Sequence, residues 1–217
     1  MEFTGFGADA LDFFDELTAH NDRAWWNAHK DRYLSSIADP MAALARTLEP
    51  EFGHAHVFRP QRDVRFSADK SPYKNHAALT CGTGSERAGG GTLYFHLDAD
   101  GPMVGGGWWR PDAAHLRAFR AAIDDPGTAA DLQTLLDGLA GHGVTLMDGD
   151  PVATAPRGWS RDHPQIELLR RRNLAVHRVH EPAPWLFTAE LADVVAQDWR
   201  QVQRFVAWLE ALPVRAS

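Results

Sequence analysis

The stretch GTLYFHLDADGPMVGGGWW, residues 91–109, indicates the fold class. Apolar and polar residues alternate in its first half, as in a half-buried strand, and the turn-forming residues ADG follow at positions 99–101. The second half is again strand-like, so we predict an antiparallel hairpin. Gly105–Gly107 interrupt the second strand, where glycine marks a bulge or the close approach of another backbone or a ligand.

On either side of this hairpin the chain is organised in blocks. Residues 1–52 are helical, residues 53–110 are mostly strands, and residues 111–217 are mostly helical again. We predict a single α+β domain, residues 1–217, in which an antiparallel sheet of about four to six strands packs with N-terminal and C-terminal helices. Further strands are expected at HVFRP (56–60), DVRFS (63–67), HAALTC (76–81) and LAVHRVH (174–180). The first two are separate strands or one bulged strand.

Two predicted helices begin at polar motifs. Asn21 is a good N-cap for the helix in DRAWWNAHKDRYLSSI, residues 22–37. Asp162 or His163 can cap the helix in WSRDHPQIELLRRRN, residues 159–173, with Pro164 in its first turn. The free backbone amides at the start of this second helix can bind an anion.

The composition is typical of a folded protein in a reducing compartment. Hydrophobic residues make up 44% and charged residues 24%, far from the polar bias of disordered chains. A single cysteine, Cys81, excludes an internal disulfide, and its apolar surroundings favour a core position. We expect no signal peptide, since the N-terminal residues lack a basic start and a cleavage site, and no apolar run approaches the roughly 20 residues of a membrane span. We therefore expect a cytoplasmic protein without a membrane partner.

Positive charge is concentrated in two islands of an acidic chain. The net charge is −7, yet the first island, residues 59–76, carries +3 and the second island, residues 157–178, carries +4. Two of the three lysines, Lys70 and Lys74, lie in the first island, although the chain has 19 arginines. This distribution favours a local anion site. It argues against nucleic-acid binding, which needs a broad positive surface.

The first island contains RDVRFSADKSPYKNH, residues 62–76, where many unlike polar groups lie close together. On a strand Asp63 and Arg65 share a face, so Asp63 can hold Arg65 in place. Arginine gives a phosphate or carboxylate a forked contact and lysine a point charge. We predict a pocket for a small anionic ligand, with Lys70, His76 and Asp63 as candidate catalytic residues. The ligand-binding candidates are Arg62, Arg65, Ser67, Tyr73, Lys74 and, from the second island, Arg157, Asp162 and His163.

Neither a metal site nor a serine triad is predicted. The HExxH and GxSxG motifs are absent. His76 and His96 can meet across the sheet and form a two-histidine, one-carboxylate set with Asp63 or Asp162, but no tight ligand spacing supports it. The sequence specifies no cofactor, reaction type or oligomeric state.

Three interpretations of the two islands stay open. The chain is an enzyme or enzyme-like protein with an anion pocket formed by both islands. Alternatively, it is a non-catalytic module that grips an acidic protein segment or a nucleic-acid end through the same basic surface. In the third interpretation, both motifs are buried ion-pair networks that fix the fold. Whether the chain is an enzyme is therefore left open.

RDVRFSADKSPYK, GGGWWRP and RGWSRDHPQIELLR together resemble the signature of domain of unknown function family 2461, a family of uncharacterised conserved hypothetical proteins. The likeness extends from about residue 6 to residue 212 and includes NDRAWWNAHKDRY. It implies no activity, because none is established for the family. The RDxRFSxDKxPYK motif falls on residues 62–74, and the later motif falls on Arg157, Gly158, Asp162, His163 and Pro164. The chain departs from the family pattern at residues 152–155, VATA, where family members often carry basic residues.

Overall fold

The computed structural model describes residues 2–65, 67–82 and 91–214 of the chain. Seven α-helices and six strands occur in these residues. The helices are α1 (Ala10–Ala19), α2 (Arg23–Tyr33), α3 (Asp39–Phe52), α4 (Ala113–Asp124), α5 (Pro126–Ala140), α6 (Ile166–Leu169) and α7 (Glu190–Glu210). The strands are β1 (Ala55–Val57), β2 (Ala77–Cys81), β3 (Thr92–Asp98), β4 (Gly101–Trp108), β5 (Thr145–Leu146) and β6 (Leu174–Val179).

The strands form one antiparallel sheet in the order β1-β2-β3-β4-β6-β5. The predicted hairpin is confirmed as β3 and β4, joined by Ala99 and Asp100, and Gly101 after this turn has a φ of 119°. Such a positive φ is readily adopted only by glycine. The α+β class and the number of strands predicted from the sequence are confirmed.

The glycines of β4 allow neighbouring backbones to approach closely. A Cβ on Gly105 would lie 2.6 Å from the Val176 carbonyl oxygen, and one on Gly106 would lie 2.6 Å from that of Thr92. Gly107 adds a φ of 133° and approaches the Leu174 carbonyl. Of the predicted alternatives, the structure therefore supports the close approach of another backbone.

The chain divides into two compact units, each assembled from three segments. Unit 1 comprises residues 1–81, 94–104 and 179–197, and unit 2 comprises residues 82–93, 105–178 and 198–217. The single domain expected from the sequence stays a prediction.

Unit 1 is built around the helices α1 to α3. α1 buries Phe13, Phe14 and Leu17, which lie on one face at helical spacing. A π-helical segment, Leu34–Ala38, joins α2 to α3. Arg32 of α2 donates to Asp9 at 2.7 Å and to Glu16 at 2.8 Å. The N-terminal residues, α1 and α2 are thus fixed to one another by charge as well as by apolar packing.

Unit 2 contains the helices α4 to α6 and most of α7. The part of α7 that belongs to this unit buries Trp199, Val202 and Phe205. Asp198, with only 3% of its surface exposed, accepts a 2.9 Å hydrogen bond from Arg178 of β6. A buried carboxylate needs such a partner, so this arginine of the second island is held by the protein itself.

Candidate functional site

The described residues of 61–73 form a loop closed at its base. Gln61 and Tyr73 make an isolated antiparallel bridge. The amide of Arg62 donates to the Pro72 carbonyl at 2.9 Å, and the amide of Lys74 donates to the Pro60 carbonyl at 2.8 Å. Among the described residues of 63–67, none lies in a strand, so the strand expected at DVRFS is wrong there. These polar groups are presented on a closed loop.

Asn21, which lies between α1 and α2, clamps the base of this loop. The Asn21 amide donates to the Tyr73 carbonyl at 3.0 Å and accepts from the Tyr73 amide at 3.1 Å. The Trp26 ring stacks on the Tyr73 ring, with centroids 4.0 Å apart and planes 9° apart. The predicted cap role of Asn21 is wrong, because Asp22 accepts from the amides at the start of α2. Sequence reasoning missed the clamp.

We call residues 62–65 and 67–71 the tip of the loop. Charged side chains in the tip mostly pair with one another. Both carboxylate oxygens of Asp63 accept from Arg65, at 2.9 and 2.7 Å, so the predicted partnership is confirmed, although it forms in a loop. These bonds lower the pKa of Asp63 to about 2. Arg62 pairs with Asp69, and this bond is the main cause that lowers the pKa of Asp69. The tip is therefore an internally bonded, largely exposed structure.

The remaining polar residues of the tip also bond locally. The Lys70 ammonium donates to the Val64 carbonyl at 3.0 Å. The amide of Ser67 donates to the same carbonyl at 3.4 Å. Ser71 donates to Asp69 through its amide at 2.9 Å and through its hydroxyl at 2.6 Å. Lys70 is thus bonded to the loop backbone, and its catalytic role stays a prediction.

An imidazole pair lies where the loop ends and β2 begins. The rings of His76 and His96 have centroids 5.3 Å apart, as the predicted meeting across the sheet requires. Tyr94, His96 and Asp98 alternate with the buried Phe95 and Leu97 along β3, so these three polar residues share one face of the sheet. We call the set formed by Arg62, Lys74, His76, Tyr94, His96 and Asp98 the His76 cluster.

Polar side chains flank the two imidazoles. His96 Nδ1 lies 3.2 Å from the Tyr94 hydroxyl, and His96 Nε2 lies 3.6 Å from Asp98. His76 Nδ1 lies 3.3 Å from the Asn75 side-chain oxygen. The Lys74 ammonium lies 4.9 Å from the centre of the Phe58 ring.

The environment of His76 favours its neutral form. Burial is the largest cause that lowers the pKa of His76, and the Lys74 ammonium adds to it. Asp98 opposes this effect, and Arg62 contributes a smaller lowering of the same pKa. Two cations therefore act on an imidazole that stays uncharged near neutral pH, which is an arrangement suited to receive negative charge.

Residues 156–163, the start of the second predicted region, are bound to α4 through Asp124, a residue that the sequence analysis did not single out. Asp124 accepts from Trp159 Nε1 at 3.1 Å and lies 3.1 Å from His163 Nε2. The amide of Gln165 donates to His163 Nδ1 at 3.0 Å, so both nitrogens of this histidine have partners in the protein. Arg157 and Asp162 lie at exposed positions in the same segment.

The expected helix in this region is much shorter than predicted. α6 has four residues and begins after Pro164, because two consecutive turns occupy residues 156–163. The amide of Ile166 donates to His163 and that of Leu168 donates to Gln165. The prediction of free amides for an anion is therefore wrong for Gln165, Ile166 and Leu168. Ligand contacts by Arg157, Asp162 and His163 stay a prediction.

Three consecutive arginines after α6 bind backbone oxygens of residues 147–152. Arg170 donates to Val152 at 2.7 Å, Arg171 to Met147 at 2.5 Å, and Arg172 to Asp150 at 2.8 Å. Burial lowers the pKa of Arg171, although its guanidinium remains charged. These arginines fasten a loop.

Within residues 2–65, 67–82 and 91–214, no group of three or more histidine, cysteine, aspartate or glutamate side chains is placed to hold a metal ion. The alternative set of His76, His96 and Asp63 or Asp162 is thus not assembled there. In the part of the chain that the structure describes, no helix has the length and apolar character needed to cross a membrane.

Of the predicted site residues, Arg62, Lys74 and His76 belong to one cluster. Asp63, Arg65, Ser67 and Lys70 lie in the loop tip, and the ring of Tyr73 packs on Trp26. Sequence reasoning missed Asn21, Trp26, Tyr94, Asp98 and Asp124. The period-two pattern of YFHLD carried the signal for the two residues of β3, because it places both beside His96.

The family model for the conserved hypothetical proteins called DUF2461 matches residues 9–208. The chain belongs to the DUF2461 family. Both basic islands and the whole clamped loop lie within the matched part of this DUF2461 protein. Neither the search of the curated proteins nor the search of the solved structures returned a match.

Proposed function

We propose that this DUF2461 protein binds a small phosphate- or carboxylate-bearing ligand at the His76 cluster. The observation that carries the proposal is His76 itself, a half-buried imidazole held neutral beside Lys74 and Arg62 and facing His96 at 5.3 Å. Binding an anion would restore the charged form of His76, since negative charge favours protonation. The Lys74 ammonium supplies a permanent point charge, and one guanidinium nitrogen of Arg62 already binds Asp69.

If chemistry follows binding, His76 is the residue suited to move a proton. An imidazole with a lowered pKa is an acceptor at neutral pH and becomes a donor once protonated. Lys70 and Asp63 have a specific observation in favour of a structural role, because their charged groups bond within the loop tip. The second candidate function therefore concerns Asp63 and Arg65, for which we propose that the ion pair stabilises the loop.

The test is an NMR titration of the histidine side chains with inorganic phosphate and, separately, with acetate. We expect the resonances of His76 and His96 to shift saturably and the pKa of His76 to rise, while exposed His54 stays unchanged. The variant Lys74→Met keeps the length of the side chain without its charge and should weaken the response severalfold. Equal shifts of His54 and His76 with both anions would reject a specific site.

A further inference from the structure

Asn173 carries a polar atom that folding leaves without a partner. Only 7% of this residue is exposed, and its Nδ2 donates to the Asp148 carbonyl at 3.2 Å. Among the residues that the structure describes, no group donates to the buried Asn173 Oδ1. Because a buried acceptor without a hydrogen bond is costly, this oxygen is suited to a donor supplied from outside the chain.

His177 is a second side chain of unit 2 with unused hydrogen-bonding capacity. Within residues 2–65, 67–82 and 91–214, neither ring nitrogen of this half-buried histidine has a hydrogen-bond partner. Burial lowers the pKa of His177, and the Asp148 carboxylate opposes this effect. The ring is therefore mostly uncharged near neutral pH, and it offers one donor and one acceptor.

Asp148 connects these two side chains. Its carbonyl binds Asn173, and its carboxylate acts on His177. Alternation places Ala175 and His177 on one face of β6, and Asn173, directly before the strand, follows the same alternation. The neighbouring strand carries Gly105 beside His177, where an added Cβ would lie 3.3 Å from the Cβ of the histidine. Gly105 thus places no side chain against this flank of the imidazole, as expected where a ligand approaches.

We propose that Asn173, Asp148 and His177 form a binding site for a neutral polyhydroxylated ligand, such as a monosaccharide. This site is independent of the proposed anion site, since it shares no residue with the His76 cluster. Asn173 and His177 are separated by four residues of extended chain, about 13 Å, so a single water molecule is too small to bridge their side chains. A ligand with several hydroxyl groups has the length to contact both.

The charges around this site favour a neutral ligand. The ligand must donate hydrogen bonds, because Asn173 Oδ1 and the Asp148 carboxylate can only accept. An ammonium ion also donates, but the Arg171 guanidinium, which acts on Asp148, repels it. An anion is disfavoured for the opposite reason, since its negative charge would lie beside an acceptor and a carboxylate. Hydroxyl groups donate to both oxygens and can accept from the N–H of the His177 ring.

The test is an NMR titration of the unmodified chain with glycerol, D-ribose and D-glucose in turn, and then with ethylammonium and acetate as charged probes. We expect at least one polyol to shift the ring resonances of His177 and the side-chain amide resonances of Asn173 with the same half-saturation concentration. His142 and Asn27, exposed residues of the same two types, should not shift. Ethylammonium and acetate should need at least about fivefold higher concentrations.

A matched pair of variants tests the Asp148 carboxylate. Asp148→Asn should raise the half-saturation concentration about fivefold, because a charged acceptor binds a hydroxyl more strongly than a neutral one. Asp131→Asn, the same change at an exposed position of α5, should leave this concentration unchanged. The inference is overturned if no polyol gives a saturable shift, if only one of the two monitored side chains responds, or if ethylammonium binds more tightly. Equal effects of the two variants would also overturn it.

Discussion

The two basic islands have similar charge in the sequence but different chemistry in the structure. In the second island, Arg170, Arg171 and Arg172 donate to backbone oxygens of residues 147–152, and Arg178 pairs with buried Asp198. In the first island, the arginines of the loop bind carboxylates of the same loop, while the Lys74 ammonium acts on His76, whose ring faces a second imidazole. A count of charges cannot distinguish cations that fasten a loop from cations placed next to groups that titrate.

The difference between the two islands follows from the groups that their cations contact. A backbone carbonyl that folding removes from water must receive a hydrogen bond. The long side chain of arginine carries several donors that can reach such carbonyls. Such an arginine stabilises the fold and is no longer available to a ligand. The Lys74 ammonium instead acts on a half-buried imidazole, which is why the first island is the better candidate for a site. Each prediction below tests one side of this comparison.

The largest effect on stability is expected for Arg171→Met. The change removes a 2.5 Å bond to the Met147 carbonyl but keeps much of the stem that packs on Gly149. We expect a loss of about 1–3 kcal/mol in the free energy of unfolding, the usual effect of leaving a partly buried acceptor without its charged donor. Urea denaturation monitored by tryptophan fluorescence measures it.

Arg157→Met is the matched control for this prediction. Arg157 lies in the same island but is exposed, so its replacement should change the unfolding free energy by less than about 0.5 kcal/mol. Equal losses in both variants would mean that net charge, and not the bond to a carbonyl, is what the second island contributes.

A somewhat smaller effect is expected for Asn21→Ala in the clamp of the first island. The change removes both bonds to the Tyr73 backbone and should cost about 1–2 kcal/mol of unfolding free energy. The NMR resonances of His76 should also shift, because the clamp fixes the end of the loop three residues away. Asn27→Ala, on the exposed face of α2, should leave these resonances unchanged and cost nothing. If the His76 resonances do not shift in Asn21→Ala, the clamp does not position His76.

Much of the fold was predictable because its cues are local. Alternation in residues 91–98 and a turn at residues 99–101 define the hairpin, and helical spacing indicates the helical blocks within residues 1–52 and 111–217. The same rule failed at DVRFS, where alternation of polar and apolar residues imitates a strand. Bonds from Arg62 to Pro72 and from Lys74 to Pro60 close a loop there, and no periodicity encodes such bonds.

The site was predictable only in part because its partners are distant in the chain. Asn21 binds a residue 52 positions later, and Arg171 binds a carbonyl 24 positions earlier. Residue types alone could mark Lys74 and His76 as candidates, and strand alternation could bring His96 towards His76. They could not show that Asp63 and Lys70 would be bonded within their own loop.

The third prediction concerns the pH dependence of stability. The folded state lowers the pKa of His76, so the unfolded chain, with an ordinary value of about 6.5, binds a proton more readily. Stability contributed by neutral His76 is therefore present above pH 6.5 and is lost as the pH falls below it. His76→Asn should show a smaller loss of urea midpoint between pH 7.5 and pH 5.5 than the unmodified chain. A full loss in His76→Asn would contradict the assignment.

The smallest effect on stability is expected for Arg65→Met. This variant tests whether the loop tip contributes to ligand binding together with the His76 cluster. The Arg65–Asp63 pair is bidentate but exposed, so solvent screens it and the urea midpoint should not move measurably. If the His76 cluster alone binds the anion, the affinity for inorganic phosphate should also stay the same in this variant, while Lys74→Met weakens it. A loss of affinity in Arg65→Met at unchanged stability would extend the site into the loop tip. Because the midpoint is insensitive to this pair, such a loss could only come from contact or charge at the ligand.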